Sequence, residues 1–304
     1  MSKHSVGMQQ SVLDRLRSHA RSHGQTFEEV LTYYGIERFL YRLSRSKYGK
    51  LFVLKGALLM MTWPEAIQRT TRDIDLRAYT KPDSAEVAHM LREVCVQPVE
   101  DDGLLFDPAS VEVETITEHA RYPGVRAKLW GTIGRTRVRI RLDISFSDPV
   151  TIDPDLVDYP TILDMPAPRL HIYPKETVVA EKLEAIVQLG EVNSRMKDFF
   201  DLHAMARAFR FDGQVLVDCI RRTFEARSTA IPAGVPVGLT DDFARAQQGQ
   251  WRAFLHRIGQ DRPKIASFQH VIKFIREFAM PALSAARLGH RFDQMWSPSR
   301  GWAI

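Results

Sequence analysis

The fold is decided by the stretch Lys55-Gly56-Ala57-Leu58-Leu59 and the following Arg69-Thr70-Thr71-Arg72-Asp73-Ile74-Asp75-Leu76. In a strand, successive side chains point to opposite faces, so Asp73 and Asp75 share one face while Ile74 and Leu76 share the other. Two carboxylates on one rigid face are typical of a Mg²⁺ site. A bare Asp-x-Asp also arises by chance, and a solvated strand end is the alternative interpretation.

The sequence before this carboxylate pair favours phosphate chemistry. Residues 51–54 predict a short buried strand, Gly56 permits a tight turn, and 57–61 predict the start of a helix. The free N–H groups of a helix start can receive phosphate oxygens. Strand, glycine turn, helix and Asp-x-Asp strand together place a triphosphate beside its metal ions.

A third carboxylate is available in the segment 137–146. Its apolar residues alternate strictly with polar ones and predict a strand whose polar face carries Arg139, Arg141 and Asp143. An amphipathic hairpin strand with a solvated polar face explains the same pattern. On this strand alone both interpretations stay open, and the preceding Asp-x-Asp favours the functional one.

A second group of charged residues lies in the C-terminal half. Residues 175–187 predict a helix that begins after Pro174, and the segment 195–202 follows it. On a helix Asp198 and Asp201 are neighbours, as are Lys197 and Asp201. The alternative is an ordinary ion pair on an exposed helix face.

With these motifs the chain resembles the AbiEii/AbiGii toxin family of nucleotidyltransferases, within the DNA polymerase beta-like superfamily. Members are the toxin halves of bacterial toxin–antitoxin and phage-defence pairs. The resemblance covers about the first two thirds of the chain. It is carried by Glu37-Arg38-Phe39-Leu40 in the N-terminal helices, Phe52-Val53-Leu54-Lys55-Gly56, Arg69-x-Thr71-x-Asp73-x-Asp75, Arg141-Leu142-Asp143-Ile144, Glu181-Lys182-Leu183-Glu184-Ala185 and Arg195-x-Lys197-Asp198-x-x-Asp201-Leu202.

The resemblance implies a set of site residues and a metal cofactor. The implied catalytic residues are Asp73, Asp75, Asp143, Lys182 and Asp198, the first three as metal ligands. The implied nucleotide-binding residues are Lys55, Gly56, Arg69, Thr71, Lys182, Lys197 and Asp201. We expect two Mg²⁺ ions about 4 Å apart, with Mn²⁺ as a substitute. Many relatives carry Gly-Ser where this chain has Gly56-Ala57, so a serine hydroxyl contact to phosphate is absent.

Thr71 lies two residues before Asp73, and strand alternation predicts that it shares the face of the carboxylates. Phosphorylation there would bring a charge of about −1.5 to −2 into a site for NTP phosphates and switch the enzyme off. We therefore treat Thr71 as a candidate regulatory phosphorylation site. A β-branched residue selected for strand propensity is the alternative.

Composition indicates the class of protein and its partners. The 304 residues carry a net charge of +5 and only two cysteines, which excludes a disulfide framework. The ten histidines are scattered, and His203 is interpreted as a surface or capping residue. No signal peptide or long apolar span is recognisable, so we expect a cytoplasmic protein without membrane contact. Arginines and lysines cluster in the first two helices and in the hairpin at 135–141, which favours RNA as a partner.

We therefore expect an α+β protein. Residues 1–165 are assigned to a nucleotidyltransferase-fold domain with a mixed sheet, and 166–304 to an all-helical domain that completes the nucleotide and RNA cleft. The resemblance implies a toxin that transfers nucleotides from an NTP, with CTP as our choice, to RNA, specifically the 3′ end of tRNA, and blocks translation. A cognate antitoxin is the implied partner. The alternatives are a metal-dependent ribonuclease and a non-catalytic module that binds RNA or a partner.

Overall fold

The structure, a computed structural model, describes residues 3–63, 71–80, 83–116, 124–146, 152–259, 265 and 267–304. Two compact units share these residues. The first contains 3–62, the described part of 71–147, and 154–173; the second contains Trp63, 152–153 and everything described from Pro174 onward. The boundary expected at residue 165 falls inside the first unit, because the strand Arg169–Ile172 belongs to its sheet.

The first unit is built on a mixed sheet, as the sequence predicts, and this sheet has seven strands among the described residues. Its helices are α1 (Lys3–His23), α2 (Phe27–Arg45), α3 (Gly56–Leu59) and α4 (Ser84–Cys95). Its strands are β1 (Phe52–Lys55), β2 (Asp73–Ala78), β3 (Leu105–Ile116), β4 (Gly124–Ile133), β5 (Thr136–Ser145), β6 (Asp155–Asp158) and β7 (Arg169–Ile172). The strand order is β3-β4-β5-β2-β1-β7-β6, and only the β2–β5 and β1–β7 pairs are parallel.

Helix α2 packs closely on the buried face of this sheet. The helix begins with a capping box, in which the Thr26 side chain and Glu29 satisfy each other's backbone N–H groups. A Cβ atom at Gly35 would lie only 2.9 Å from a methyl group of Val138 on β5, so glycine permits the approach of helix to strand. Along β5 the buried side chains alternate with exposed ones, which leaves the opposite face of the sheet to solvent.

The second unit is helical apart from one small sheet. Its helices are α5 (Lys175–Leu189), α6 (Met196–Ala208), α7 (Gly213–Ala226), α8 (Asp241–Ala246), α9 (Gln248–Arg257) and α10 (Phe268–Leu288). The expectation of an all-helical domain missed three short strands, β8 (Phe211–Asp212), β9 (Met295–Ser297) and β10 (Gly301–Ala303), which pair in the order β10-β9-β8. Strands of two or three residues are too short to show a period in the sequence.

Aromatic side chains form the core of the second unit. The ring of Trp251 stacks on Phe268 at 4.8 Å, and its indole N–H donates to the carbonyl of Ile265 at 2.7 Å. Trp296 donates likewise to Ala206 and packs against Phe278. Both indole N–H groups therefore have a hydrogen-bond acceptor inside the core, as buried tryptophans require. Within the described residues, no helix is long and apolar enough to cross a membrane.

His203 of α6 is buried, so the interpretation as a surface or capping residue is wrong. Its ring meets Phe274 edge-on, with centroids 5.2 Å apart. Burial lowers the pKa of His203 to about 4, and the nearby Arg207 and His270 act in the same direction. The histidine is therefore neutral in the folded protein at pH 6, whereas in the unfolded chain it binds a proton below about pH 6.5.

We expect His203 to make stability depend on pH. Because the unfolded chain binds the extra proton between pH 6.5 and 4, stability is full above pH 6.5 and falls as pH drops, by about 3 kcal/mol in total for a pKa of about 4. Urea unfolding at pH 7.5 and pH 5 should show a smaller loss for His203→Gln than for wild type. The exposed His256, changed to Gln, should keep the wild-type loss. An equal loss in wild type and His203→Gln would contradict this assignment.

Candidate active site

Three carboxylates lie together on the solvent face of the first unit's sheet. Asp73 and Asp75 alternate on β2 with the buried Ile74 and Leu76, as the sequence predicts. The parallel pairing of β2 with β5 places Asp75 directly opposite Asp143. The side chains of Asp73 and Asp143 are 43% and 29% exposed, so solvent and a substrate can reach them.

Gly56 is required by the position of Asp75. Its φ is +70°, and a Cβ atom built there would overlap the Asp75 carboxylate. Strand β1 therefore ends, and the short helix α3 begins, immediately beside this carboxylate. The sequence predicts both the turn and the helix start, and the glycine is explained by a positive φ combined with a close approach.

Two arginines contact the carboxylates. Arg126 of β4 donates to both oxygens of Asp143, from Nε at 2.8 Å and from Nη2 at 2.9 Å. The hydrogen bonds and charge of Asp143 raise the pKa of Arg126. Arg141 Nε lies 2.7 Å from Asp73 Oδ1 in an ion pair that lacks hydrogen-bond alignment. Arg126 was missed in the sequence, although the alternation of 124–133 places it on the polar face of a strand.

Carboxylate oxygens are ligands that a hard cation prefers, and the strand register places two of these carboxylates side by side. Asp75 and Asp143 are direct neighbours across two strands, and Gly56 leaves the space that the Asp75 carboxylate occupies. In the conformation described, however, no three acidic, histidine or cysteine side chains among the described residues are arranged to hold a metal ion. Arg126 contacts Asp143 and Arg141 contacts Asp73, so both arginines engage carboxylate oxygens that a metal would need.

Lys55 lies on the same face as the carboxylates. It is the β1 partner of Asp75, and its Nζ lies 3.4 Å from Ser145 Oγ on β5. The ammonium group also lies over the ring of Tyr173, 5.5 Å from the centroid. A cation at this position can compensate the negative charge of the carboxylates and of a phosphate.

The structure describes only some of the site residues that the sequence predicts just before β2. Arg69 lies outside the described residues. Thr71 does not share a strand with the carboxylates, because β2 begins at Asp73. Its backbone N–H donates to the hydroxyl of Tyr33 at 3.0 Å. Strand alternation therefore does not establish the position of the Thr71 side chain, and its role as a phosphorylation site stays a prediction.

In the second unit, Lys182 binds the two aspartates of α6. Its Nζ lies 2.7 Å from Asp201 Oδ2 and 3.3 Å from Asp198 Oδ1. Asp198 and Asp201 are almost completely buried, so the alternative of an ion pair on an exposed helix face is wrong for both. Lys197, in contrast, is exposed. The structure thus brings Lys182, Asp198 and Asp201 into one buried cluster.

Nearby positive charges favour the ionised form of Asp198. Burial by itself raises the pKa of Asp198, but the charges of Lys182, Arg195 and Lys197 more than offset burial and the pKa is lowered. Arg195 Nε lies 2.7 Å from Asp198 Oδ2. A buried lysine between two carboxylates joins α5 to α6, so the cluster has a structural role whether or not it contacts a nucleotide.

One family model matches most of the chain, and solved structures are similar to it in fold. The sequence profile described as nucleotidyl transferase AbiEii toxin, type IV TA system, matches residues 38–286. Among solved structures, MenT4, a nucleotidyltransferase toxin from Mycobacterium tuberculosis H37Rv, is similar at 15% identity and a TM-score of 0.51, over 90% of this chain and 99% of that one. An H. pylori protein solved as a candidate nucleotidyltransferase has 12% identity and a TM-score of 0.49, over 88% and 100%. No curated protein sequence matches significantly.

Proposed function

The chain belongs to the AbiEii nucleotidyl transferase toxin family of type IV toxin–antitoxin systems, and from this premise we propose that it transfers a nucleotide from an NTP to the 3′ end of an RNA. As a family member it is a nucleotidyltransferase toxin, and its partner in the system is an antitoxin. The fold that it shares with MenT4 agrees with this assignment. The nature of the acceptor and of the donated base belongs to the proposal.

The observation that carries the proposal is the pairing of Asp75 with Asp143 beside Gly56. Two carboxylates in direct register on neighbouring parallel strands, next to a turn with no side chain, form a rigid acidic site open to solvent. A binding module would have no need of carboxylates at this spacing. Paired carboxylates on a solvent-exposed strand face are typical of phosphoryl-transfer sites that work with a metal ion.

We propose that Asp73, Asp75 and Asp143 hold Mg²⁺, which when bound would supply Lewis-acid stabilisation of the phosphoryl oxygens. In the transfer, the 3′ hydroxyl of the acceptor forms a bond to the α-phosphorus of the NTP and pyrophosphate leaves. The role of Lys55 would be to balance the charge of the triphosphate. Arg126 and Arg141 would release the carboxylates and turn to phosphate oxygens, for which the planar guanidinium group is well suited.

The acceptor in this proposal is tRNA, and the donor is CTP. The family resemblance supports tRNA, since modification of its 3′ end blocks aminoacylation and hence translation. The clustered positive charge of the chain supports a polyanionic acceptor. CTP is a choice among four nucleotides, which an assay with each of them decides.

Release of pyrophosphate tests the proposed function. Purified protein incubated with Mg²⁺, total RNA and each NTP in turn should release pyrophosphate only when both RNA and the accepted NTP are present. A ribonuclease would shorten the RNA without an NTP and release no pyrophosphate. A non-catalytic module would do neither. Either of these two results would overturn the proposal.

Substitution at Gly56 gives a sharper test of the site geometry. Because a methyl group there overlaps the Asp75 carboxylate, Gly56→Ala should displace this carboxylate and lower transfer by about 10², the cost of misplacing a reacting group by about 1 Å. Gly24 is a matched control, since its φ is +64° and no atom lies within 4 Å of the position of a Cβ. Gly24→Ala carries similar backbone strain and should keep wild-type transfer. Equal rates for the two variants would contradict the assignment.

A further inference from the structure

The solvent face of β4 and β5 carries a continuous set of cationic and aromatic side chains. We call this set the basic face; it consists of Arg126, Lys128 and Trp130 on β4 and Arg137, Arg139 and Arg141 on β5. The antiparallel register places Lys128 opposite Arg141 and Trp130 opposite Arg139. Asp143 follows on the same face of β5, so the basic face ends at the candidate active site.

The charges of the basic face differ in how they are compensated. Arg126, Lys128 and Arg141 each contact a carboxylate, those of Asp143, Glu114 and Asp73 respectively. Arg137 and Arg139 are exposed and form no ion pair within the part of the chain that the structure describes. Two uncompensated positive charges therefore lie at the end of the basic face remote from the carboxylates.

Trp130 lies between these uncompensated charges. The guanidinium carbon of Arg137 is 4.2 Å from the centroid of its ring, and that of Arg139 is 5.7 Å away. The indole is partly exposed although it is the largest side chain on this face of β4. Aromatic rings and guanidinium planes are the groups on which unpaired nucleic-acid bases stack.

The dimensions of the basic face suit a strand of RNA that ends at the carboxylates. Arg137 and Asp143 are six residues apart on β5, which corresponds to about 20 Å at the rise of a β-strand. At about 3.4 Å per stacked nucleotide this length accommodates about six nucleotides. A base-paired duplex would offer only phosphates to this face, whereas an unpaired end also offers bases to Trp130.

We propose that the basic face binds the unpaired 3′ end of the acceptor RNA, with phosphates on Arg137 and Arg139 and a base stacked on Trp130. The 3′ terminus lies at Asp75 and Asp143, and the strand runs toward the β4–β5 turn. The inference rests on the proposed function for the identity of the acceptor as an RNA 3′ end. It adds the residues that hold this end and the requirement that the end be single-stranded.

Binding measured without NTP tests this inference separately from catalysis. The probes are an RNA hairpin with a six-nucleotide 3′ overhang and the same hairpin with a blunt end, titrated at several salt concentrations. For the double variant Arg137→Gln/Arg139→Gln we expect weaker binding of the overhang RNA and a log–log salt slope smaller by about 1.4, at about 0.7 per lost single-strand phosphate contact. A matched control is Arg252→Gln/Arg257→Gln on α9, two exposed arginines of which one lies over Phe254.

Substitutions of Trp130 test the contribution of base stacking to RNA binding separately from that of charge. Trp130→Ala should weaken binding of the overhang RNA about tenfold or more and leave the blunt hairpin unchanged, while Trp130→Phe, which keeps a stacking ring, should retain most of the affinity. Wild-type affinity and salt slope in the Arg137→Gln/Arg139→Gln variant would overturn the proposal. So would loss of neutralisation by the antitoxin with RNA binding unchanged, since the surface would then belong to a protein interface.

The two proposals fail in different ways. If wild-type protein transfers nucleotides but the overhang is bound equally well by all variants, the basic face is wrong and the function stands. If the overhang is bound through Arg137, Arg139 and Trp130 but no NTP is ever consumed, the function is wrong and the RNA surface stands.

Discussion

Asp75→Asn should lower nucleotide transfer by at least about 10², the scale of loss when a principal electrostatic stabiliser is removed. Asp75 pairs with Asp143 across the sheet and lies against Gly56, so asparagine fits the space while removing the negative charge. Asp73→Asn should have a similar effect, since Asp73 shares this face. The measurement is the initial rate of labelled-nucleotide incorporation into RNA, with folding checked by circular dichroism.

The control for this prediction is an aspartate on the same sheet but away from the site. Asp155 lies on the outermost strand, β6, and is exposed. Asp155→Asn makes the same chemical change and should keep wild-type transfer. Wild-type transfer by folded Asp75→Asn protein would contradict the assignment of the site.

Lys182→Met should destabilise the protein by about 3–5 kcal/mol, because it removes the buried cation that the carboxylates of Asp198 and Asp201 share. The side chain of Lys182 is only 11% exposed, and those of Asp198 and Asp201 are 2% and 0% exposed, so water compensates little of the loss. Equilibrium unfolding in urea at pH 7 measures the effect. The exposed Lys197, changed to Met, should alter stability by less than about 0.5 kcal/mol.

Removal of the buried charges provides the reciprocal test. The triple variant Lys182→Met/Asp198→Asn/Asp201→Asn should recover part of the stability that Lys182→Met loses, because the two buried negative charges that lost their shared cation are gone. Equal stabilities of wild type and Lys182→Met would show that the cluster is not structural. The nucleotide contact of Lys182 stays a prediction, and Lys182→Arg, which keeps the charge, addresses it: a raised KM for NTP with unchanged RNA affinity would support the contact.

Local patterns were sufficient to predict most elements of the first unit. The alternation of 73–78 predicts the faces of β2, and that of 137–146 predicts the faces of β5. In both cases the signal lies within a few residues of the element it describes. The pairing of β2 with β5 is different in kind, because the register between strands about 65 residues apart depends on the packing of the whole sheet.

Contacts across the fold explain what the sequence did not reveal. The bidentate bond of Arg126 to Asp143 depends on the β4–β5 register, which a single strand pattern does not contain. An exposed helical ion pair remained an alternative for Asp198 and Asp201 because their partner, Lys182, lies on another helix. Thr71 was placed on a strand that begins two residues later, since sequence patterns locate the ends of elements poorly.

Incorporation of labelled nucleotide into RNA is the reaction expected of the site formed by Asp73, Asp75 and Asp143. Wild-type protein is incubated with Mg²⁺, total RNA and each α-labelled NTP in turn, and the RNA is separated on a denaturing gel. We expect label in a discrete RNA band with at least one NTP, and at least about 10² less label when Asp75→Asn replaces wild type. Unlabelled but shortened RNA, or unchanged RNA with all four nucleotides, would contradict this expectation.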